Sequence, residues 1–325
     1  MMTQPGIAGD VAFFLAETIL QSAFFCLLVF GAIRVFGIRH PGLRARLWLM
    51  ALICPVIAPL VFHLLLPRSG TRPEWKLLEA FLAAPLRWLE AHHLPAALIP
   101  AFILAIIFSL DVLRWLLCGL RFRKAEQTAS RASGQAARCT SALALVGRRL
   151  GATMLPALVL GDLPREGAYA LRWPRPSICL SERLAKLLEA DELQALLAHE
   201  LAHLQRRDWL WLLVAQLSRD LVFFNPLAHL AYACFLQATE EAADDLAAAA
   251  PRERLALASC LLKVQRYVQA ARPASPALSL VHRPADVAPR AERLLRGHAG
   301  LVCPAAHSRV AWVVLILACL FAGLI

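Results

Sequence analysis

Three long stretches of this chain carry almost no polar side chains: about 11–36, 47–66 and 96–120. A fourth, 308–325, is shorter but nearly uniformly apolar over its last sixteen residues. About 20 apolar residues in a helix cross the ~30 Å hydrocarbon core of a bilayer, so four transmembrane helices are predicted. Between 121 and 307 the pattern changes. "ALVLGD" and "SICLS" read as short strands set between turns that carry Pro and Gly. From Ser181 the apolar residues recur three and four apart, and Leu193, Leu196, Leu197, Leu201 and Leu204 form one stripe. Asp191, with Gln194 three residues on, is the expected cap of that helix, and Asp208 the expected cap of the next, about 209–224. Helix 209–224 is nearly apolar and suits either a bilayer surface or a core. Asn225-Pro226 then opens a third helix. The predicted class is a mainly α membrane protein: three spans in 1–120, an inserted α+β cytosolic domain over 121–307, and a last span over 308–325.

Composition agrees, with 59% of 325 residues hydrophobic against the 45–50% usual in soluble domains. The net charge of +11 forms no stripe with interleaved aromatics, so nucleic-acid binding is not expected. The basic residues stand instead at the ends of apolar runs. Arg34, Arg39, Arg44 and Arg46 crowd the first link, and Arg121, Arg123 and Lys124 follow the third run. In the second link Arg68, Arg72, Lys76 and Arg87 are balanced by Glu74, Glu79 and Glu90. Positive charge marks the inner face, which places the N-terminus outside and residues 121–307 in the cytosol. The first basic residue, Arg34, lies behind the first run rather than before it, so that run is expected to be an uncleaved anchor. The second link, from Glu74 to His93, is amphipathic and is expected to lie on the membrane surface. Glu17, Asp111 and Arg114 fall within or beside the spans, and the last two, three apart, are read as a pair. Nine cysteines without a CxxC spacing argue against a disulfide framework or a cysteine metal site.

The candidate chemistry is in "LLAHELAHLQRRD", from Leu196. On a helix His199 and His203 lie one turn apart on the same face, the spacing at which two imidazoles hold one metal ion. Glu200 beside them is the candidate general base. Zinc in a hydrolase takes three protein ligands and leaves a position for water. The later acidic helix supplies the third in "EEAADD", where Glu240 and Asp244 are spaced E-x-x-x-D. Asp244 is placed to fix the ring of a ligand histidine. Spacing alone does not choose between Glu240 with Asp244 and Glu241 with Asp245. His229 is a weaker rival ligand, and His92 with His93 a weaker rival site. The expected cofactor is one catalytic Zn2+. Glu200 would accept a proton from the attacking water and pass it to the leaving amine. Ser177, Ile178, Cys179, Leu180 and Ser181 are read as a sheet edge to which an extended substrate adds a strand.

"LLAHELAHLQRRD", "NPLAHL" and "EEAADD" together resemble the BlaR/MecR-type membrane metallopeptidases, the signal transducers of β-lactam resistance, over nearly the whole chain. The family commonly has E-x-A-C-D-D in the acidic helix. Aligned on its paired Asp residues, Glu240 becomes the ligand and Glu241 the variable position, with Ala243 where the family has Cys. "PRAERLL", from Pro289, is similar to an Arg-containing segment late in such domains, which makes Arg290 a candidate contact of Asp244 or of a reaction oxyanion. The resemblance implies a zincin fold with gluzincin ligands in a bacterial inner membrane. It also implies regulated cleavage of a cytosolic target, a transcriptional repressor above all, or of the protein itself. The sensor-transducers carry a penicillin-binding domain after the fourth span; this sequence ends at Ile325, so direct β-lactam sensing is not expected. Two other readings fit the residues: an HtpX-like quality-control peptidase, and a non-proteolytic transducer stapled by its metal.

Overall fold

The computed structural model describes residues 7–65, most of 102–120, and 134–161, 168–171, 175–270 and 287–297. Helices α1 (Ile7–Val35) and α2 (Pro41–Leu65) are each long and apolar enough to cross a membrane. Gly37, at φ +58°, makes the tight turn that folds one against the other. The third apolar run is helical over residues 105–113. The amphipathic second link and the fourth apolar run lie outside the described residues.

An α+β unit follows. Helix α3 (Gly134–Arg149) precedes strands β1 (Ala157–Gly161), β2 (Ala168–Leu171) and β3 (Ser177–Ser181), then α4 (Glu182–Leu187) and α5 (Ala190–Arg206). The sheet order is β1-β3-β2. β1 pairs parallel to β3 with Val159 opposite Cys179, and β2 pairs antiparallel with Tyr169 opposite Cys179. This corrects one expectation: Ser177–Ser181 is the central strand, buried along its full length, and not the edge. Its continuous burial follows from the Ile-Cys-Leu run, and its flanking serines are satisfied internally. Ser181 Oγ caps α4 and meets the Tyr267 hydroxyl at 2.8 Å. The strand packed toward α5 with an outer edge is β2.

The leucine stripe of α5 is buried as its period requires, from Leu193 to Leu204. Its first turn differs from expectation. Glu189, not Asp191, caps it, and its N–H donates to the Glu192 carboxylate at 2.9 Å. Asp208 is likewise the first residue of α6 (Asp208–Leu221), with Arg207 in the cap position. α7 (Pro226–Ala247) begins as expected after Asn225, whose side chain accepts from Leu227 N–H at 3.0 Å. Helices α8 (Pro251–Ala270) and α9 (Val287–Leu295) complete the described chain.

These elements bury two separate cores. One gathers α3, the sheet, α4, α5, α8 and α9 around Ile178, Leu180, Leu197, Leu201 and Leu257. The other joins α1 and α2 to α6 and the first part of α7 around Phe25, Trp48, Leu52, Ala215, Val222 and Phe235. Asn225, fully buried, ties the second core together: its amide donates to Ser22 Oγ at 2.8 Å. Asn225→Ala removes both the helix cap and this bond, at a cost of about 2 kcal/mol. The thermal midpoint of the detergent-solubilised protein is expected to fall by several degrees; an unchanged midpoint would deny the contact.

Candidate metal centre

The centre is built where the ends of the two cores meet. Helix α5 presents His199 and His203 one turn apart, and α7 crosses against it so that Glu240 faces both. The two imidazole Nε2 atoms are 3.1 Å apart. Glu240 Oε2 lies 3.5 Å from His199 Nε2, and Oε1 3.6 Å from His203 Nε2. Ligands held 2.0–2.1 Å from a tetrahedral ion stand roughly 3.3 Å from one another. The two approaches of Glu240 use different oxygens; one donor atom from each of the three residues lies within 4.8 Å of the others, near the spacing of tetrahedral ligands, and the composition suits a metal of zinc's preferences.

Each imidazole is backed by a carboxylate. His199 Nδ1 lies 3.0 Å from Asp244 Oδ1, and Asp244 is fully buried. His203 Nδ1 is 2.7 Å from Asp208 Oδ2. A proton on Nδ1 in both rings leaves each Nε2 lone pair for the ion, the arrangement that orients histidine ligands in metalloproteins. Arg290, buried on α9, reaches the same helix face. Its guanidinium donates to both Asp244 oxygens at 2.7 and 2.9 Å and lies 2.9 Å from Glu240 Oε2. One arginine thus braces the candidate carboxylate ligand and the partner of His199 together.

The electrostatics favour a cation here. Burial opposes a charge on His199, but the carboxylates of Asp244 and Glu240 beside it prevail and raise its pKa to about 10. Burial works equally against ionised Glu240. His199, His203 and Arg290 outweigh it and hold that carboxyl well below the usual range. Asp244 is held at about 2 by Arg290 and His199 against its own desolvation. Glu200 differs, since burial dominates and raises it. Two carboxyl groups in one site are driven apart, one locked as an anion and one shifted toward the range in which it exchanges protons.

Geometry also separates the residues that spacing left equivalent. Glu241 turns away from the histidines to α2, where Arg44 donates to it at 2.8 Å, and Gln237 donates at 2.9 Å. Asp245 is taken by Arg293 at 2.6 Å. His229 is exposed and its Nε2 meets the Phe223 carbonyl at 2.8 Å, apart from the centre. Of the sequence-derived site residues, His199, Glu200, His203, Glu240, Asp244 and Arg290 come together, and Ser177–Ser181 lies within the sheet instead.

Asp208 is the residue that sequence reasoning misplaced, as a helix cap. Arg207 adopts the left-handed conformation (φ 57°, ψ 37°), the one non-glycine among the described residues to do so, at a cost on the order of 1 kcal/mol. That reversal folds Asp208 back under His203, with Arg206 Nε holding its second oxygen at 3.2 Å. An Asp five residues after a candidate ligand histidine, across a helix break, was the available signal. Asp208→Ala is expected to weaken metal binding roughly 10–100-fold in a chelator competition; unchanged affinity would confine Asp208 to shaping the turn.

A family model described as BlaR1 peptidase M56 matches residues 94–292, more than half of the chain. None of the curated proteins matches it.

Proposed function

This chain belongs to the BlaR1 peptidase M56 family, and from that premise we propose that it is a membrane-bound zinc endopeptidase acting in regulated signalling. Its substrate is a cytosolic or membrane-adjacent protein, a transcriptional repressor first among them, or the protein itself. The observation that carries this reading is the His199–His203–Glu240 triangle, with Glu200 on the same helix turn but outside the donor set.

His199, His203 and Glu240 would hold the ion. When bound, it supplies a Lewis acid that polarises the scissile carbonyl and acidifies water. Glu200 accepts the proton of the attacking water on its carboxylate and delivers it to the leaving nitrogen. Burial helps by lifting its proton affinity above that of a solvated glutamate. Asp244 and Asp208 keep the protons of the two imidazoles on Nδ1, and Arg290 fixes Glu240 and Asp244 relative to each other. An extended substrate pairs along the outer edge of β2, which takes the role first read for β3.

The test is a comparison of new protein N-termini, by mass spectrometry, in cells making the wild type or Glu200→Gln at matched levels. Cleavage products present only with the wild type identify the target or the self-cleavage site. Signalling that survives in Glu200→Gln with no such products would replace this reading with a metal-stapled transducer.

A further inference from the structure

The segment from Asp208 to Thr239 does not pack as the rest of the inserted unit does. α6 and the first part of α7 form a hairpin whose apolar residues join the core of α1 and α2, not the core around the sheet. The hairpin tip lies deep along α1. Asn225 donates to Ser22 Oγ at 2.8 Å and to the Thr18 carbonyl at 3.4 Å, and the Leu227 carbonyl accepts from Cys26 Sγ at 3.9 Å. Ser22 stands twelve residues before Arg34, which is about 18 Å along a helix. If Arg34 marks the inner boundary of the bilayer, the tip is beyond the midplane of its ~30 Å core.

The chemistry of the hairpin suits that depth. Between Trp209 and Leu236 the exposed residues are Trp211, Leu221, Pro226, His229, Leu230 and Ala233, and none is an ionised acid, lysine or arginine. α8, on the other unit, also exposes Leu255 and Leu262, but it sets Arg252, Ser259, Arg266 and Gln269 among them. Several polar groups that the hairpin contains are paired within the protein, as hydrocarbon favours, while Trp209 Nε1 at its start, Asp220 Oδ2 and Thr239 Oγ1 at its end have no hydrogen-bond partner among the described residues. Gln216 donates to Asp111 of the third apolar run at 2.8 Å. Arg219 donates to Asp220 at 2.7 Å, with its guanidinium 4.5 Å from the centroid of the Tyr232 ring. His229 is engaged by the Phe223 carbonyl. Charge returns at the hairpin's two ends: Arg206 and Arg207 precede it, and Glu241 follows it, bonded to Arg44 in the basic first link.

We propose that the α6–α7 hairpin is a re-entrant membrane element whose outer face, centred on Leu221 and Leu230, contacts acyl chains, so that the His199–His203–Glu240 centre sits where the hairpin leaves the bilayer. α6 has 14 residues, about 21 Å of helix, which is too short to cross and long enough to pass the midplane. The proposal rests on the reading of α1 and α2 as membrane spans.

The experiment places single cysteines in the full chain, its nine native cysteines replaced, in native membranes opened to both faces. Leu221→Cys and Leu230→Cys probe the hairpin. Leu27→Cys, exposed on α1, is the bilayer reference, and Met154→Cys, exposed before β1, is the aqueous reference. All four positions are on the surface, so the fold is retained. A water-soluble maleimide is expected to label the hairpin positions on the order of a hundredfold more slowly than Met154→Cys, matching Leu27→Cys, because hydrocarbon excludes the thiolate. A nitroxide at Leu230 should then collide often with oxygen and rarely with a polar nickel chelate. Rare collision with both would mean burial in protein and would overturn the proposal. Rapid labelling of Leu221→Cys and Leu230→Cys beside a protected Leu27→Cys overturns it alone; rapid labelling at Leu27→Cys overturns the membrane reading of α1, and this proposal with it.

Discussion

Glu200→Gln is expected to lower peptide-bond hydrolysis by roughly 10²–10⁴-fold while the purified protein keeps its metal. The amide preserves the volume of a side chain that is only 8% exposed, so packing on α5 is undisturbed. It also leaves intact the three donor atoms that face one another from His199, His203 and Glu240. What is lost is the carboxyl whose proton affinity ends up raised, because at Glu200 burial outweighs the neighbouring cations, as it does not at Glu240 or Asp244. Metal content by plasma mass spectrometry, measured beside turnover of a self-cleavage site or a fluorogenic peptide, separates the two effects. Undiminished turnover in the variant would remove Glu200 from the chemistry. Lost metal would make it a structural residue of the centre.

The second large effect is a ranking between neighbours. Glu240→Ala should cost more metal affinity than the roughly 10–100-fold expected when a carboxylate behind a histidine is lost, because it deletes one of three donors. Glu241→Ala should leave affinity near the wild type. Its cost falls instead on stability, about 1–2 kcal/mol, since the Arg44 guanidinium, 28% exposed, loses its partner at the junction of α2 and α7. Chelator competition and thermal unfolding of the same two variants give the comparison. Glu241→Ala stripping the metal while Glu240→Ala retains it would refute the donor set.

Local, periodic features of this protein were legible along the chain. The 3.6-residue repeat fixed which leucines of α5 are buried and set His199 and His203 on one face. The Asn-Pro pair located the start of α7, since an Asn side chain caps the orphan N–H groups and Pro has no N–H to lose. Asp191 failed as a cap because a stretch rich in carboxylates offers several, and Glu189 has the better return contact in Glu192. The edge strand was misread for a different reason. A short apolar run between serines looks the same from sequence whether one neighbour pairs with it or two.

Periodicity and spacing were enough to read much of the architecture and the candidate chemistry: apolar helices long enough to span a bilayer, a histidine pair at ligand spacing, and an acidic helix to meet it. Those properties depend on residues within a turn or two of one another, and helix geometry translates spacing directly into position. The remaining contacts come from the packing of distant segments. That packing set Glu240 toward the histidines and Glu241 toward Arg44, folded Asp208 back under His203, and brought Arg290 from the last described helix onto Asp244. It also drew the hairpin tip against Thr18 and Ser22, two hundred positions away in the chain. Such contacts are selected by which surfaces bury together and which buried polar groups find partners, and neither is written in the spacing of any one segment.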